Sequence, residues 1–261
     1  MEVIILPTPA EVGRVAAAKI ASVVAHKPSA VIGLATGSSP QGIYTDLHRR
    51  VTAGEISFTR TRGFALDEYV GIPLEHSESY ASVIARDVVE PLGFDPSRVR
   101  VPDGRATDIE FAAEEYDAAI RAAGGIDVQI LGIGANGHIG FNEPTSSFAS
   151  RTRIKTLAPS TREANARFFD SPDQVPTHCL TQGLGTILEA EQLVLVAQSS
   201  TKAAAIAAAV EGPLSSFVPG SALQLHEHVT VIVDEAAAAG LQLADHYRYT
   251  YVNKPEWQRF S

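Results

Sequence analysis

Leu131-Gly-Ile-Gly-Ala-Asn136-Gly-His138-Ile-Gly140-Phe-Asn-Glu143 is the stretch of this chain that decides its fold. It continues an apolar run from Val128, and such a run is typical of a parallel strand that is covered on both faces. The glycines allow sharp turns and close approach of a ligand. Ligands of open α/β sheets bind beyond the carboxyl ends of the strands. We therefore expect chemistry at His138 and Glu143; the alternative is a tight connection with one solvated histidine.

Two other apolar runs also end in polar residues. Phe64-Ala-Leu-Asp67-Glu68-Tyr-Val-Gly71 ends in two adjacent acids, which in many proteins are solvated or cap the next element. An apolar run that begins at Ile32 leads into a loop of small residues before a helical pattern: Thr36, Gly37, Ser38 and Ser39. Backbone N–H groups and small hydroxyls at a helix start suit a phosphate group. The loop lacks the Gly-Lys-Ser/Thr ending of a nucleotide-binding loop, so a nucleotide is not predicted.

The composition restricts the classes of protein that fit. The chain has 261 residues, enough to bury a core without disulfides, and its single cysteine, Cys179, suits a reducing compartment. It has no run of 18 apolar residues and no basic segment ahead of a hydrophobic one, so neither a membrane partner nor a signal peptide is expected. A net charge of -9 argues against nucleic acid as a partner. We expect a cytoplasmic protein in which any anionic substrate needs a local basic site.

Apolar runs alternate with helical periodicity along the chain. The predicted strands are residues 3–6, 30–35, 63–66, 99–101, 127–133, 193–197 and 229–233. The predicted helices are residues 10–24, 41–51, 80–89, 109–123, 201–210 and 235–247. This alternation predicts an α/β fold with an open, mostly parallel sheet wrapped by helices, which is Rossmann-like, in a single domain over residues 1–261. Residues 152–176 are polar and interrupt the alternation.

These segments together resemble the glucosamine-6-phosphate deaminase family, also called glucosamine-6-phosphate isomerases. Asp-Glu-Tyr-Val-Gly at residues 67–71 and Gly-His-Ile-Gly-Phe-Asn-Glu-Pro at residues 137–144 are its most specific motifs, and the likeness extends from the first strand to about Asp234. It implies conversion of glucosamine 6-phosphate to fructose 6-phosphate and ammonia, without cofactor or metal. It also implies that residues 152–176 form a mobile lid.

The resemblance assigns a role to each catalytic residue. Asp67 takes the proton from C2 during enolisation, and His138 exchanges a proton with the ring and anomeric oxygens during ring opening. Glu143 orients and charges that histidine, as a carboxylate does when it fixes an imidazole tautomer. Glu68 and Tyr69 receive no chemical role, and we expect them to support the turn at Asp67.

Asn136 departs from the pattern of many family members, which have an acid two residues before the catalytic histidine, whereas other members have Asn there. An amide can still accept a hydrogen bond from the imidazole N–H, but it supplies no negative charge. The alternative is that Asn136 serves an Asn-Gly turn, because asparagine tolerates left-handed backbone. Both interpretations remain open at this point.

Two basic residues join the Thr36–Ser39 loop as phosphate ligands by resemblance. Arg167 lies near the end of the lid segment, where a guanidinium can bind phosphate in a bidentate way. Lys202 follows a strand at the start of a helix. The alternative for each is a solvated surface charge, the commonest state of Lys and Arg.

Some members of the family are hexamers that N-acetylglucosamine 6-phosphate activates at a second phosphate site between subunits. The residues that match this site are Ser146, Arg153, Lys155, Thr156 and, where the alignment is uncertain, Tyr249. The C-terminal residues 246–257 differ most from the activated members. The alternative is that Arg153 and Lys155 solvate an edge strand.

Two other functions fit part of the pattern. A sugar-phosphate lactonase of related fold shares the phosphate loop but needs no enolisation base at Asp67. A non-catalytic sugar-phosphate sensor is expected to carry a DNA-binding helix-turn-helix ahead of its first strand, which here begins near Met1. The presence of Asp67, His138 and Glu143 together opposes the lactonase, and the position of the first strand opposes the sensor.

Overall fold

The computed structural model describes residues 1–259. Its strands are β1 (Glu2–Leu6), β2 (Val31–Leu34), β3 (Arg62–Ala65), β4 (Asp67–Tyr69), β5 (Val99–Arg100), β6 (Val128–Leu131), β7 (Arg153–Thr156), β8 (His178–Thr181), β9 (Leu193–Ala197) and β10 (Val229–Asp234). Its α-helices are α1 (Pro9–His26), α2 (Gln41–Thr52), α3 (Tyr80–Ile84), α4 (Glu90–Leu92), α5 (Ile109–Ala122), α6 (Pro159–Asn165), α7 (Leu184–Leu188), α8 (Ala203–Val210) and α9 (Ala244–Val252). A π-helical segment, Ala85–Val89, joins α3 to α4.

Seven strands form one sheet in the order β1-β10-β9-β6-β2-β3-β5, and every pair in it is parallel. The central strands are buried along their whole length, as expected for a sheet covered by helices on both faces. From β2 the chain proceeds outward to β3 and β5, whereas from β6 it proceeds the other way to β9 and β10. The expected α/β fold is confirmed. Because the strand order reverses between β2 and β6, the crevice for a ligand lies beyond the ends of these two strands.

A second sheet of three antiparallel strands, in the order β4-β8-β7, was not predicted. β4 begins one residue after the end of β3 and contains Asp67, which pairs with Thr181 on β8. β7 lies within residues 152–176, the segment that interrupts the predicted alternation, and forms an edge strand. The second sheet therefore connects the end of β3 to the beginning of the lid segment.

Most predicted elements are present with shifted ends, but the predicted helix at residues 235–247 is wrong. Residues 235–240 form turns, and α9 begins only at Ala244. The Asp234 carboxylate accepts the backbone N–H of Ala237 at 2.7 Å, and Glu211 accepts those of Gln242 and Leu243. These side-chain contacts hold the alanine-rich segment in turns despite its helix propensity.

Within residues 1–259, no helix is both long and apolar enough to span a bilayer.

Candidate active site

The loop after β6 places the His138 ring directly against Gly134. A Cβ atom built on Gly134 would lie only 2.2 Å from the ring carbon Cε1, so this position has no room for a side chain. The Gly134 N–H donates to the His138 carbonyl at 2.9 Å, which closes the turn. Gly137 has φ +84, the left-handed region that favours glycine. The glycines of this motif thus fold the loop back so that the histidine faces the end of the strand.

Asn136 and Glu143 converge on His138 within this loop. The His138 Nδ1 lies 3.7 Å from Glu143 Oε2 and is buried without a hydrogen bond in the described part of the chain. Asn136 donates its Nδ2–H to the same Oε2 at 2.7 Å and accepts the His138 backbone N–H at 3.2 Å. Asn136 therefore contacts the carboxylate and the backbone, and not the imidazole N–H, which was one of the two open interpretations. Asn136 lies in the turn that the Gly137 N–H closes on the Gly134 carbonyl, but the left-handed residue of this turn is Gly137 and not Asn136.

The other oxygen of Glu143 is bound by the lid segment. Oε1 accepts the backbone N–H of Ala158 at 3.1 Å and the hydroxyl of Thr161 at 2.5 Å. Burial alone would raise the pKa of Glu143, but the neighbouring His138, Thr161 and Ala158 outweigh it and lower the pKa to about 2. Glu143 is consequently a stable carboxylate at neutral pH.

Asp67 occupies the first position of β4 and is 6% exposed. Burial, followed by the negative charge of Glu68, raises the pKa of Asp67 to about 8, although the Thr181 hydroxyl opposes the shift. The Thr181 Oγ1 donates to Asp67 Oδ2 at 3.5 Å and accepts the N–H of Phe141 at 3.1 Å. A Cβ built on Gly140 would lie 3.6 Å from that same Oδ2. Asp67 therefore lies beside the loop that carries His138.

Glu68 stabilises the turn that follows Asp67. Its carboxylate accepts three backbone N–H groups, those of Tyr69, Tyr80 and Ala81, at 2.8, 2.8 and 2.9 Å. Two of these groups belong to the first turn of α3, so Glu68 caps that helix. This arrangement agrees with a supporting role for Glu68.

The Thr36–Ser39 loop follows β2 and lies beside the ends of β6 and β9. Gly37 in it has φ +88, and Gln198, directly after β9, donates its side-chain N–H to the Ser39 carbonyl at 3.2 Å. A Cβ on Gly132, just beyond β6, would lie 3.8 Å from the Ser39 Cβ. The loop therefore forms one wall of the crevice between β2 and β6.

Arg167 and Lys202 lie close enough for their charges to interact. Lys202 is half-buried; burial first, and then the positive charge of Arg167, lowers its pKa. Arg167 is exposed, and its guanidinium carbon lies 4.6 Å from the centre of the Phe168 ring. Two neighbouring cations thus form a local basic patch in an acidic protein.

The residues of the expected effector site are only partly brought together. Arg153 and Lys155 share one face of the edge strand β7, whereas Thr156 points to the opposite, exposed face. The Ser146 hydroxyl is buried and donates to the Glu143 carbonyl at 2.6 Å. Tyr249 lies on α9, which packs mainly on β1, whereas β7 packs mainly on β8 and α5. Within one chain, Tyr249 is therefore not placed beside the others.

Arg153 also contacts the loop that carries the catalytic candidates. Its Nη1–H donates to Asn142 Oδ1 at 2.9 Å and to the Arg151 carbonyl at 3.2 Å. Asn142 immediately precedes Glu143, and its amide donates to the carbonyls of Ile139 and Gln182. The guanidinium therefore stabilises the end of the loop that carries His138 and Glu143.

Thr161 and Thr181 are site residues that sequence reasoning missed. Thr161 bonds to Glu143, and Thr181 joins Asp67 to the loop around Phe141. Thr181 lies in none of the motifs; Thr161 begins the segment of residues 161–169, which also resembles the family, but the resemblance assigns it no role. A single sequence carries no signal for such pairs, which exist only because the second sheet brings β8 and the lid segment to the crevice.

Comparison with known proteins relates this site to one family. The profile of the family described as glucosamine-6-phosphate isomerases/6-phosphogluconolactonase matches residues 8–232. A glucosamine-6-phosphate deaminase of Mycolicibacterium smegmatis is 57% identical over 259 residues, 99% of each chain. One of Rhodococcus opacus is 56% identical over 260 residues, 100% of each chain.

Solved structures also resemble this chain. One described as a monomeric glucosamine-6-phosphate deaminase superposes with a TM-score of 0.90 at 41% identity, covering 92% of this chain and 100% of the other. A 6-phosphogluconolactonase from Trypanosoma cruzi superposes with a TM-score of 0.75 at 19% identity, covering 92% and 97%. At that identity the second likeness concerns the fold alone.

Proposed function

Because the chain belongs to the glucosamine-6-phosphate isomerase/6-phosphogluconolactonase family, we propose that it converts glucosamine 6-phosphate to fructose 6-phosphate and ammonia. The observation that carries the proposal is the meeting of two different acid–base groups at the crevice. A buried carboxyl with a pKa of about 8, Asp67, lies beside a loop that carries His138 and the ionised Glu143. Ring opening and enolisation each need one such group.

Ring opening is assigned to His138. Its Nδ1 faces the Glu143 carboxylate, which stabilises the ring when it holds a second proton. The other nitrogen is then the one that exchanges a proton with the sugar. Asn136 fixes the carboxylate from one side and thereby supports the pair.

Enolisation is assigned to Asp67. A carboxyl with a pKa of about 8 holds its proton at pH 7 and cannot act as a base in that form. Glucosamine 6-phosphate carries an ammonium group on C2, and a positive charge near a carboxyl lowers its pKa. The substrate's own charge thus favours the carboxylate that removes the C2 proton, whereas the uncharged lactone ring of a lactonase substrate supplies no such charge.

The phosphate is assigned to the Thr36–Ser39 loop, including Gly37 and Ser38, together with Arg167 and Lys202. The loop offers backbone N–H groups and hydroxyls at the end of β2, and the two cations add charge-assisted hydrogen bonds. A phosphate group also removes the mutual repulsion of the two cations. We expect neutral glucosamine to be a very poor substrate.

One assay separates this activity from the alternatives. The purified protein is incubated with glucosamine 6-phosphate, and both ammonia and fructose 6-phosphate are measured. Equal amounts of the two products are expected. A parallel incubation with 6-phosphogluconolactone tests the lactonase. Hydrolysis of the lactone without release of ammonia would overturn the proposal, and binding of sugar phosphate without any product would favour a sensor.

We also propose a cytoplasmic location and regulation by a second amino-sugar phosphate, N-acetylglucosamine 6-phosphate, in a hexamer. Ser146 and Arg153 are the proposed effector residues that contact the loop carrying Glu143, and Lys155, Thr156 and Tyr249 complete the set by resemblance. The contact of Arg153 with Asn142 supports a link from that site to Glu143. Substrate saturation curves with and without the effector test it, after the mass in solution has been measured. Superimposable hyperbolic curves from a hexamer would refute regulation.

A further inference from the structure

The two oxygens of Glu143 face two different parts of the molecule. Oε1 accepts from the Ala158 N–H and the Thr161 hydroxyl, both in the lid segment 152–176. Oε2 accepts from Asn136 and lies 3.7 Å from the His138 ring. The donors on both sides fix the plane of the carboxylate. Displacement of α6 would remove both donors from Oε1 and leave the carboxylate free to turn.

The same segment carries one of the two cations proposed to bind phosphate. Arg167 lies six residues after Thr161, in the short helical turn that continues α6, and its charge acts on Lys202. Two like charges at this place oppose docking of the lid, whereas a phosphate bound by both favours it. The lid also packs on the body through Phe169, whose ring centre lies 5.7 Å from that of Tyr69. Thr161 and Arg167 lie in one continuous stretch of helix, α6 and the turn that follows it, so a shift at the phosphate end of the lid can reach its Glu143 end.

We propose that Thr161 is a positioning residue through which binding of the substrate's phosphate sets the ring-opening pair. Phosphate at Arg167 and Lys202 docks the lid, and the docked Thr161 hydroxyl holds Glu143 beside His138. The expected effect on kcat rests on the proposed function, whereas the expected effect of phosphate on docking of the lid does not. It explains why a buried hydroxyl of the lid is directed at a catalytic carboxylate.

Hydrogen–deuterium exchange of residues 157–169 measures docking of the lid without any turnover. Inorganic phosphate is the probe. We expect it to slow exchange in the unaltered protein, and we expect Thr161→Val to accelerate exchange in this segment about 10- to 100-fold, as for loss of a hydrogen bond to a charged group. Thr161→Ser keeps the hydroxyl and should restore slow exchange. Ser160→Ala, which removes an exposed hydroxyl from the same helix, is the matched control and should change nothing.

Lys202→Ala provides a test that does not depend on how Thr161→Val folds. Lys202 lies outside the lid, and its loss should abolish the protection that phosphate gives to residues 157–169. Persistent protection in this variant, or exchange in folded Thr161→Val equal to that of the unaltered protein, would overturn the proposal.

Kinetics with glucosamine 6-phosphate supply the functional measurement. Thr161→Val should lower kcat about tenfold or more, with a smaller change in KM, and should alter the acid limb of the pH profile because Glu143 loses a donor. Thr161→Ser should recover most of kcat. A loss of thermal stability with unchanged kcat and pH profile would show a structural role only. If no ammonia forms but phosphate still protects the lid from exchange, the proposed function fails and the role of Thr161 in the docked lid stands. If ammonia forms but phosphate gives no protection, the proposed function stands and the role of Thr161 is refuted.

Discussion

Replacement of Asp67 by asparagine should lower activity and raise stability at the same time. The amide keeps the shape of the side chain but cannot accept the C2 proton. General-base catalysis contributes roughly 10²–10⁴-fold to a rate, so kcat should fall by about that factor while sugar-phosphate binding persists. A residue that only supports the fold would give the opposite pattern, in which stability falls first.

The gain in stability follows from the pKa. Because the Asp67 pKa is raised from 3.8 to about 8, the folded state holds a proton that the unfolded chain releases above pH 4. Stability is therefore fully present below about pH 4 and is lost as the pH rises towards 8. Four pKa units correspond to roughly 5 kcal/mol. Asparagine does not ionise, and after a cost of about 1–3 kcal/mol for an incompletely bonded amide, about 2–4 kcal/mol of stabilisation remains at pH 9.

Thermal unfolding at pH 5 and pH 9 measures this effect. For a chain of this size, that gain corresponds to a rise in Tm of roughly 5–15 °C at pH 9, and the difference should shrink or reverse at pH 5. Asp103→Asn is the control: this aspartate is exposed, and the amide oxygen can still accept the Arg105 N–H. Activity close to that of the unaltered protein, or a Tm difference independent of pH, would refute the assignment of Asp67 as a buried base with a raised pKa.

Three further substitutions test other parts of the site. Asn136→Asp replaces a donor to Glu143 Oε2 by a second carboxylate, so the acid limb of the pH–rate profile should move to higher pH; an unchanged profile would contradict the contact. Gly134→Ala forces a methyl group into the space of the His138 ring and should reduce kcat at least tenfold, whereas normal kinetics would mean that the ring does not work from this position. Arg167→Ala should weaken glucosamine 6-phosphate binding by about 1.5–3 kcal/mol, measured by titration calorimetry, and unaltered affinity would place the phosphate elsewhere.

The large sheet could be predicted because its central strands are mainly apolar runs that are buried along their whole length. A run of this kind can be recognised as a strand without knowing which strand it pairs with, and its alternation with helices predicts parallel pairing. The small sheet could not be predicted in this way. β4 has only three residues and begins with an acid, and β7 alternates between half-buried and exposed positions in a polar segment. The pairing of β4 and β7 with β8 depends on contacts between segments that are distant in the sequence.

The catalytic candidates were predicted from motifs, whereas their environments were not. The sequence placed His138 and Glu143 on one loop, but it gave no indication that Thr161 bonds to the carboxylate or that Asn136 contacts its Oε2. The raised pKa of Asp67 likewise depends on its burial, which the pairing of β4 with β8 accompanies. Side chains that tune a site from distant segments become visible only in three dimensions.

The pairing of β4 with β8 has a consequence for how the protein is made. Asp67 and Thr181 are 114 positions apart in the chain, yet they are direct partners in the register. Closing so long a loop costs entropy that local contacts do not recover, so such pairings form late in folding. During synthesis the first strands emerge well before β8. The candidate active site therefore cannot assemble on a nascent chain until the ribosome has released Thr181, and catalytic competence arises near the end of folding.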